Sequence, residues 1–69
     1  MHSARITGPI AYRTPDGQLL NIPAGPCLIE DMKDQRVEVI WGPNGQNSAA
    51  LALVDIESAT QQGHILLLD

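Results

Sequence analysis

Ile10-Ala11-Tyr12-Arg13, Thr14-Pro15-Asp16-Gly17 and Gln18-Leu19-Leu20-Asn21-Ile22 follow one another directly, and this stretch decides the fold class. Proline presets φ for the first turn position, Asp accepts local backbone hydrogen bonds, and Gly takes the left-handed conformation that closes a hairpin. The flanking segments are short and strand-compatible, so the stretch predicts a β-hairpin. Upstream, Arg5-Ile6-Thr7 reads as a short strand broken at Gly8-Pro9, where proline lacks a donor and suits an edge or bend.

Downstream, Pro23-Ala24-Gly25-Pro26 breaks the chain again, and residues 27–32 read as a strand ended by the polar turn Lys33-Asp34-Gln35. Arg36-Val37-Glu38-Val39-Ile40-Trp41 alternates, with Val37, Val39 and Trp41 on one face and Arg36, Glu38 and Ile40 on the other. Gly42-Pro43-Asn44-Gly45 is a second turn. Residues 48–54 then read as a strand, with Leu51 and Leu53 on one face and Ala50, Ala52 and Val54 on the other. The only helical signal lies at residues 55–63, where Asp55 is a candidate N-cap and Gly63 a candidate stop at C′. It allows one or two turns. His64-Ile65-Leu66-Leu67-Leu68 closes the chain as a strand.

These segments make residues 1–69 one mainly β domain. The expected architecture is a small closed barrel of five or six short antiparallel strands with one short helical turn near 55–63, since closure removes edges that would pair with neighbours. Leu20-Asn21-Ile22-Pro23-Ala24-Gly25, followed by a strand, a polar turn and Val37-Glu38-Val39-Ile40-Trp41, is similar to the central part of bacterial SH3-like barrels. In those barrels a Pro-Ala-Gly segment leads into a hairpin of alternating valines. The resemblance covers about half the chain and implies a fold only. The acidic loop with paired tryptophans of the signalling SH3 domains is missing, and no Pro-x-x-Tyr follows the last hairpin. A groove for proline-rich peptides is therefore not implied.

Composition narrows the function. Eight acidic and four basic side chains give a charge of −4, which disfavours a nucleic-acid partner because such a partner calls for net positive potential. Residues 1–29 carry Arg5 and Arg13 against Asp16, a balance of +1; residues 30–69 carry Lys33 and Arg36 against seven carboxylates, a balance of −5. No apolar run reaches the length of a membrane span. The amino-terminal residues do not read as a signal peptide, and the lone Cys27 suits a reducing compartment, so a cytoplasmic protein is expected.

Chemistry has little to stand on. Cys27 lies beside no feature that would lower a thiol pKa and reads as a buried structural residue, although a thiolate–imidazole pair with His64 or His2 is conceivable. Glu30, Asp31, Asp34 and Glu38 lack the spacing of a calcium loop and are interleaved with Lys33 and Arg36, so a solvated hairpin tip is the simpler reading. No phosphate-binding loop, zinc-protease or nucleophile-elbow motif occurs. No catalytic residue, metal ligand or cofactor is expected.

The carboxyl-terminal strand carries the functional reading. Ile65 and Leu67 share one face, Leu66 and Leu68 the other, and both faces are apolar. The second face needs a cover, supplied either by the helical turn or by another subunit or protein. The expectation is a non-enzymatic interaction or assembly module that associates with itself, with another protein, or with both. Its candidate contact residues are Tyr12, Ile40, Leu66 and Leu68, with Trp41 alongside as either core or interface. Two alternatives stay open: a small-ligand-binding protein or enzyme with a site between subunits, where His64, Cys27 or Glu38 would act, and a nucleic-acid-binding barrel.

Overall fold

The computed structural model describes residues 1–68. The alternating segments form seven strands, β1 (His2–Ile6), β2 (Ala11–Arg13), β3 (Leu19–Asn21), β4 (Gly25–Asp31), β5 (Arg36–Trp41), β6 (Asn47–Ala52) and β7 (Ile65–Leu67), with one helix, α1 (Leu53–Gln61), between the last two. All pairings are antiparallel. Five strands form one sheet in the order β6-β5-β4-β1-β7, and β2 and β3 pair only with each other.

The expected closed barrel is corrected by this arrangement: the strands number seven, in two open sheets, and no closed barrel forms among the described residues. The reason lies in the hairpin. β2 and β3 are held together by the turn at Thr14, whose N–H donates to the Gln18 carbonyl at 2.8 Å while Gly17, at φ 91°, donates back to the Thr14 carbonyl at 2.9 Å. The Thr14 hydroxyl adds a bond to the Asp16 carboxylate. The hairpin thus spends its ladder on itself and leaves the five-strand sheet ending at β6 and β7.

Period-2 alternation puts one face of that sheet into the core. Ala4 and Ile6 of β1, Cys27 and Ile29 of β4, Val37 and Val39 of β5, Leu51 of β6 and Ile65 of β7 are buried, joined by Ile10 and Ile22 from either side of the hairpin and by Ile56 and Ala59 of α1. There is no buried polar or charged residue among the described ones. Arg5, Leu28, Glu30, Arg36, Leu66 and their cross-strand neighbours point the other way, to the outer face.

The helix begins two residues earlier than the sequence predicts. Leu53 and Val54 belong to it, not to β6, and the N-cap is Ala52, which makes no side-chain capping bond, while Asp55 sits in the first turn. A local cap is unnecessary because the Leu53 N–H donates to the Gln35 carbonyl in the β4–β5 turn at 2.8 Å. Asp55 still favours the positive end of the helix dipole. The C-terminus stops as expected at Gly63, φ 80°, in a Schellman arrangement: His64 N–H donates to the Ala59 carbonyl at 2.8 Å and Gly63 N–H to the Thr60 carbonyl at 3.1 Å.

That stop sets His64 against the break after β1. Thr7 N–H donates to the His64 carbonyl at 2.8 Å, and the imidazole lies over Gly8 so closely that a Cβ there would stand 2.4 Å from Cδ2 and 2.7 Å from Cγ. Cγ can move away only by rotation about χ1, which would take the whole imidazole out of this seat. Gly8→Ala should therefore cost about 1–3 kcal/mol by overpacking, read as a lower urea midpoint with an unchanged slope; an unshifted midpoint would contradict this placement.

Candidate functional site

The outer face of the five-strand sheet is where the sequence-derived contact residues gather. Cross-strand register aligns Ile40 with Leu28, Leu28 with Ser3, and the Leu68 N–H donates to the Ser3 carbonyl at 2.9 Å. Ile40, Leu28 and Leu68 therefore lie in one row across β5, β4 and the end of β7, with Leu66 two residues from Leu68 on the same face. No charged residue occupies that row. The next row holds Leu66, Arg5 and Pro26, and Glu30 and Glu38 face each other one register step beyond the Leu28–Ile40 pair. Leu66 is 50% exposed and Leu68 60% exposed.

Helix α1 does not cover this row. Its buried residues, Ile56 and Ala59, join the core on the inner face, beside Ile65. A shallow groove of about 550 Å³ lies between α1 and the inner face, with Leu53, Ile56 and Leu67 among its apolar walls and His2, Asp31 and Glu57 at its rim. Leu67, on the same face as Ile65, is 58% exposed, whereas Ile65 is 1% exposed. Both sides of β7 thus present hydrophobic surface.

Tyr12 and Trp41 are brought together, away from the outer row. Trp41 ends the inner face of β5 opposite Cys27 and Asn47, and its ring meets Tyr12 edge-on, with centroids 5.4 Å apart and planes at 63°. Both rings are half-buried against the core. They fasten the hairpin to the sheet, and their outer edges remain accessible.

The other candidate groups are dispersed. Cys27 is buried, and desolvation pushes its thiol pKa up, the opposite of what a nucleophilic thiolate needs. Glu30 and Glu38 lie on the outer face, while Asp31 faces inward opposite Val37 at the groove. Among the described residues no set of three His, Cys, Asp or Glu side chains gathers around a point where a metal ion could sit.

No protein-family model, curated protein or solved structure matches the chain.

Leu28 and Leu67 belong to the exposed apolar surface but escape the sequence reading. Leu28 is found only once β4 is paired in register with β5, which brings it beside Ile40. Leu67 has the parity of a core residue and lies opposite the buried Ala4, but β7 is the edge strand of the sheet and leaves it open.

Proposed function

We propose that this chain is a non-catalytic interaction and assembly domain of open, SH3-like form, and that copies of it associate through the side of the sheet bearing Leu66 and Leu68. The observation that carries the reading is the uncharged row of Ile40, Leu28 and Leu68 with Leu66 beside it, left uncovered by α1. In so small a domain, fully burying an aliphatic side chain is worth about 1.5–3 kcal/mol, so leaving several leucines in water forfeits a large share of the available stabilisation. A four-strand meander, β1-β4-β5-β6, with a hairpin inserted between its first two members and a fifth strand that returns through a helix to lie beside β1, supports the SH3-like description.

Leu66→Asp tests this. The side chain is half in water, so the variant is expected to fold with an unchanged β spectrum, while self-association measured by light scattering weakens by at least about a hundredfold, as expected for like charges brought together at a contact. An unfolded variant would make Leu66 a core residue. A wild-type chain that stays monomeric at high concentration would overturn self-association.

The groove beside α1 favours a second reading, in which a small apolar molecule binds there. Its volume falls within the range of ligand pockets, and its walls are mostly apolar with a few polar groups at the rim. A metabolite screen by thermal shift checks it, since a ligand at about a hundred times its Kd adds about 2.7 kcal/mol of stability.

A further inference from the structure

We infer that two copies of the chain join by antiparallel pairing of β7 with β7 of the second copy, in a single register centred on Leu66; this rests on the self-association proposed above. The ladder to β1 fixes which backbone groups are available. Bonds from Thr7 N–H to the His64 carbonyl and from Leu68 N–H to the Ser3 carbonyl, with Arg5 opposite Leu66 midway, turn residues 64, 66 and 68 toward β1. In an antiparallel pair these orientations alternate, so the N–H and C=O of Ile65 and Leu67 face the open edge. β7 ends the sheet, and nothing pairs with it on that side among the described residues.

An exposed edge strand is ordinarily blunted by a charge, a proline or a bulge. β7 has none of these, its three-residue length being its one safeguard, and Leu66, Leu67 and the following Leu68 are all at least half exposed. The opposite edge is protected. β2 lies against β6, and Tyr12 and Pro15 border the same depression as Ser48, Ala49 and Ala50, which come from both faces of β6, so the hairpin stands alongside that edge. With that end of the five-strand sheet shielded, the other end is free for β7 to meet its own copy about a two-fold axis, the commonest symmetry of soluble oligomers.

Only one register uses both outward residues. Pairing Ile65 with Leu67 of the second copy, and Leu67 with its Ile65, makes four hydrogen bonds and sets Leu66 directly opposite its counterpart. Centring on Ile65 would place Leu67 across from Gly63, which is in the helix stop at φ 80°; centring on Leu67 would run the pairing past the described residues. The chosen register also accounts for both apolar faces of β7: Leu66 meets Leu66 outside, and Leu67 meets Ile65 inside. Charge does not oppose the match. β7 itself is uncharged, and the nearest like charges, the two Arg5 side chains, are separated by three strand spacings, about 14 Å, beyond the Debye length of about 8 Å at physiological salt.

The experiment uses the full chain with three substitutions. Leu66→Cys, treated with a copper–phenanthroline oxidant, should convert most of the protein to a disulfide-linked dimer, because directly opposed Cα atoms in a non-hydrogen-bonded pair lie about 4.5 Å apart. Leu68→Cys should not cross-link, its counterpart being about four residues, roughly 13 Å, along the strand. Leu67→Pro removes an N–H that the β1 ladder does not use, so the monomer should keep its β spectrum while dimer affinity falls on the order of thirtyfold or more. Wild-type protein under the same oxidant is the control for the buried Cys27. Assembly without Leu66→Cys cross-linking would overturn the edge pairing and leave self-association standing. A wild-type monomer at all concentrations would overturn both. Should Leu67→Pro fail to fold, the contrast between Leu66→Cys and Leu68→Cys decides alone.

Discussion

Val39→Asp should leave the chain unfolded in buffer, with no cooperative transition on heating. Val39 is 0% exposed, in the middle of β5, with Ile29 opposite on one side and Ala49 on the other. A carboxylate at that point would have no polar or charged side chain to meet, because the described core contains none. The effective penalty for burying an unpaired ion is several kcal/mol even after relaxation. For 69 residues, the whole stability expected at 0.05–0.15 kcal/mol per residue is about 3–10 kcal/mol. One substitution therefore consumes all of it or nearly so. Circular dichroism and urea titration read the outcome, and a variant that still unfolds cooperatively near the wild-type midpoint would contradict the central placement of β5.

Trp41→Ala should be the most costly truncation on the rim of the core, at about 3 kcal/mol. Large aromatic truncations in full burial cost 3–5 kcal/mol, and half-burial puts Trp41 at the lower end. Part of the loss is the edge-on contact with Tyr12, worth about 0.5–1.5 kcal/mol beyond area. The effect should have a spatial signature. Tyr12 belongs to β2, and outside this ring pair the hairpin is joined to the core chiefly through Ile10 and Ile22, whose backbones meet in a 2.9 Å bond from Ile22 N–H to the Ile10 carbonyl. Amide exchange should therefore quicken first in β2 and β3 and later in β4 and β5. A stability change below about 0.5 kcal/mol, the usual scale of a surface substitution, would mean that Trp41 is held for a partner and contributes little to the fold.

The parts of this fold that were legible are those specified within a few residues. Thr14-Pro15-Asp16-Gly17 carries its own turn chemistry, and Val37-Glu38-Val39 carries its own face assignment, so the hairpin and β5 follow from local sequence. The start of α1 was not legible, because its first donor is satisfied by the Gln35 carbonyl, eighteen positions earlier, and leaves no capping residue at Ala52 to read. Closure of the barrel is not legible for a related reason: whether β6 and β7 meet depends on where the hairpin lodges, and the contact of Tyr12 with Trp41 that seats it joins segments far apart in sequence. At the candidate site, the alternation of residues 64–68 made both faces of β7 legible. That Ile40, Leu28 and Leu68 form a single row depends on register between segments far apart in sequence, which no local pattern encodes.

β1 sits between β4 and β7, so the first strand of the chain receives its second neighbour from the last. During synthesis, residues 1–52 can assemble the meander from β1 to β6 as they leave the ribosome, but Ile6 stays uncovered until Ile65 emerges to lie across from it. A nascent domain of this design carries a raw, half-built flank until β7 has been made, and the sheet is finished when that strand reaches back to β1.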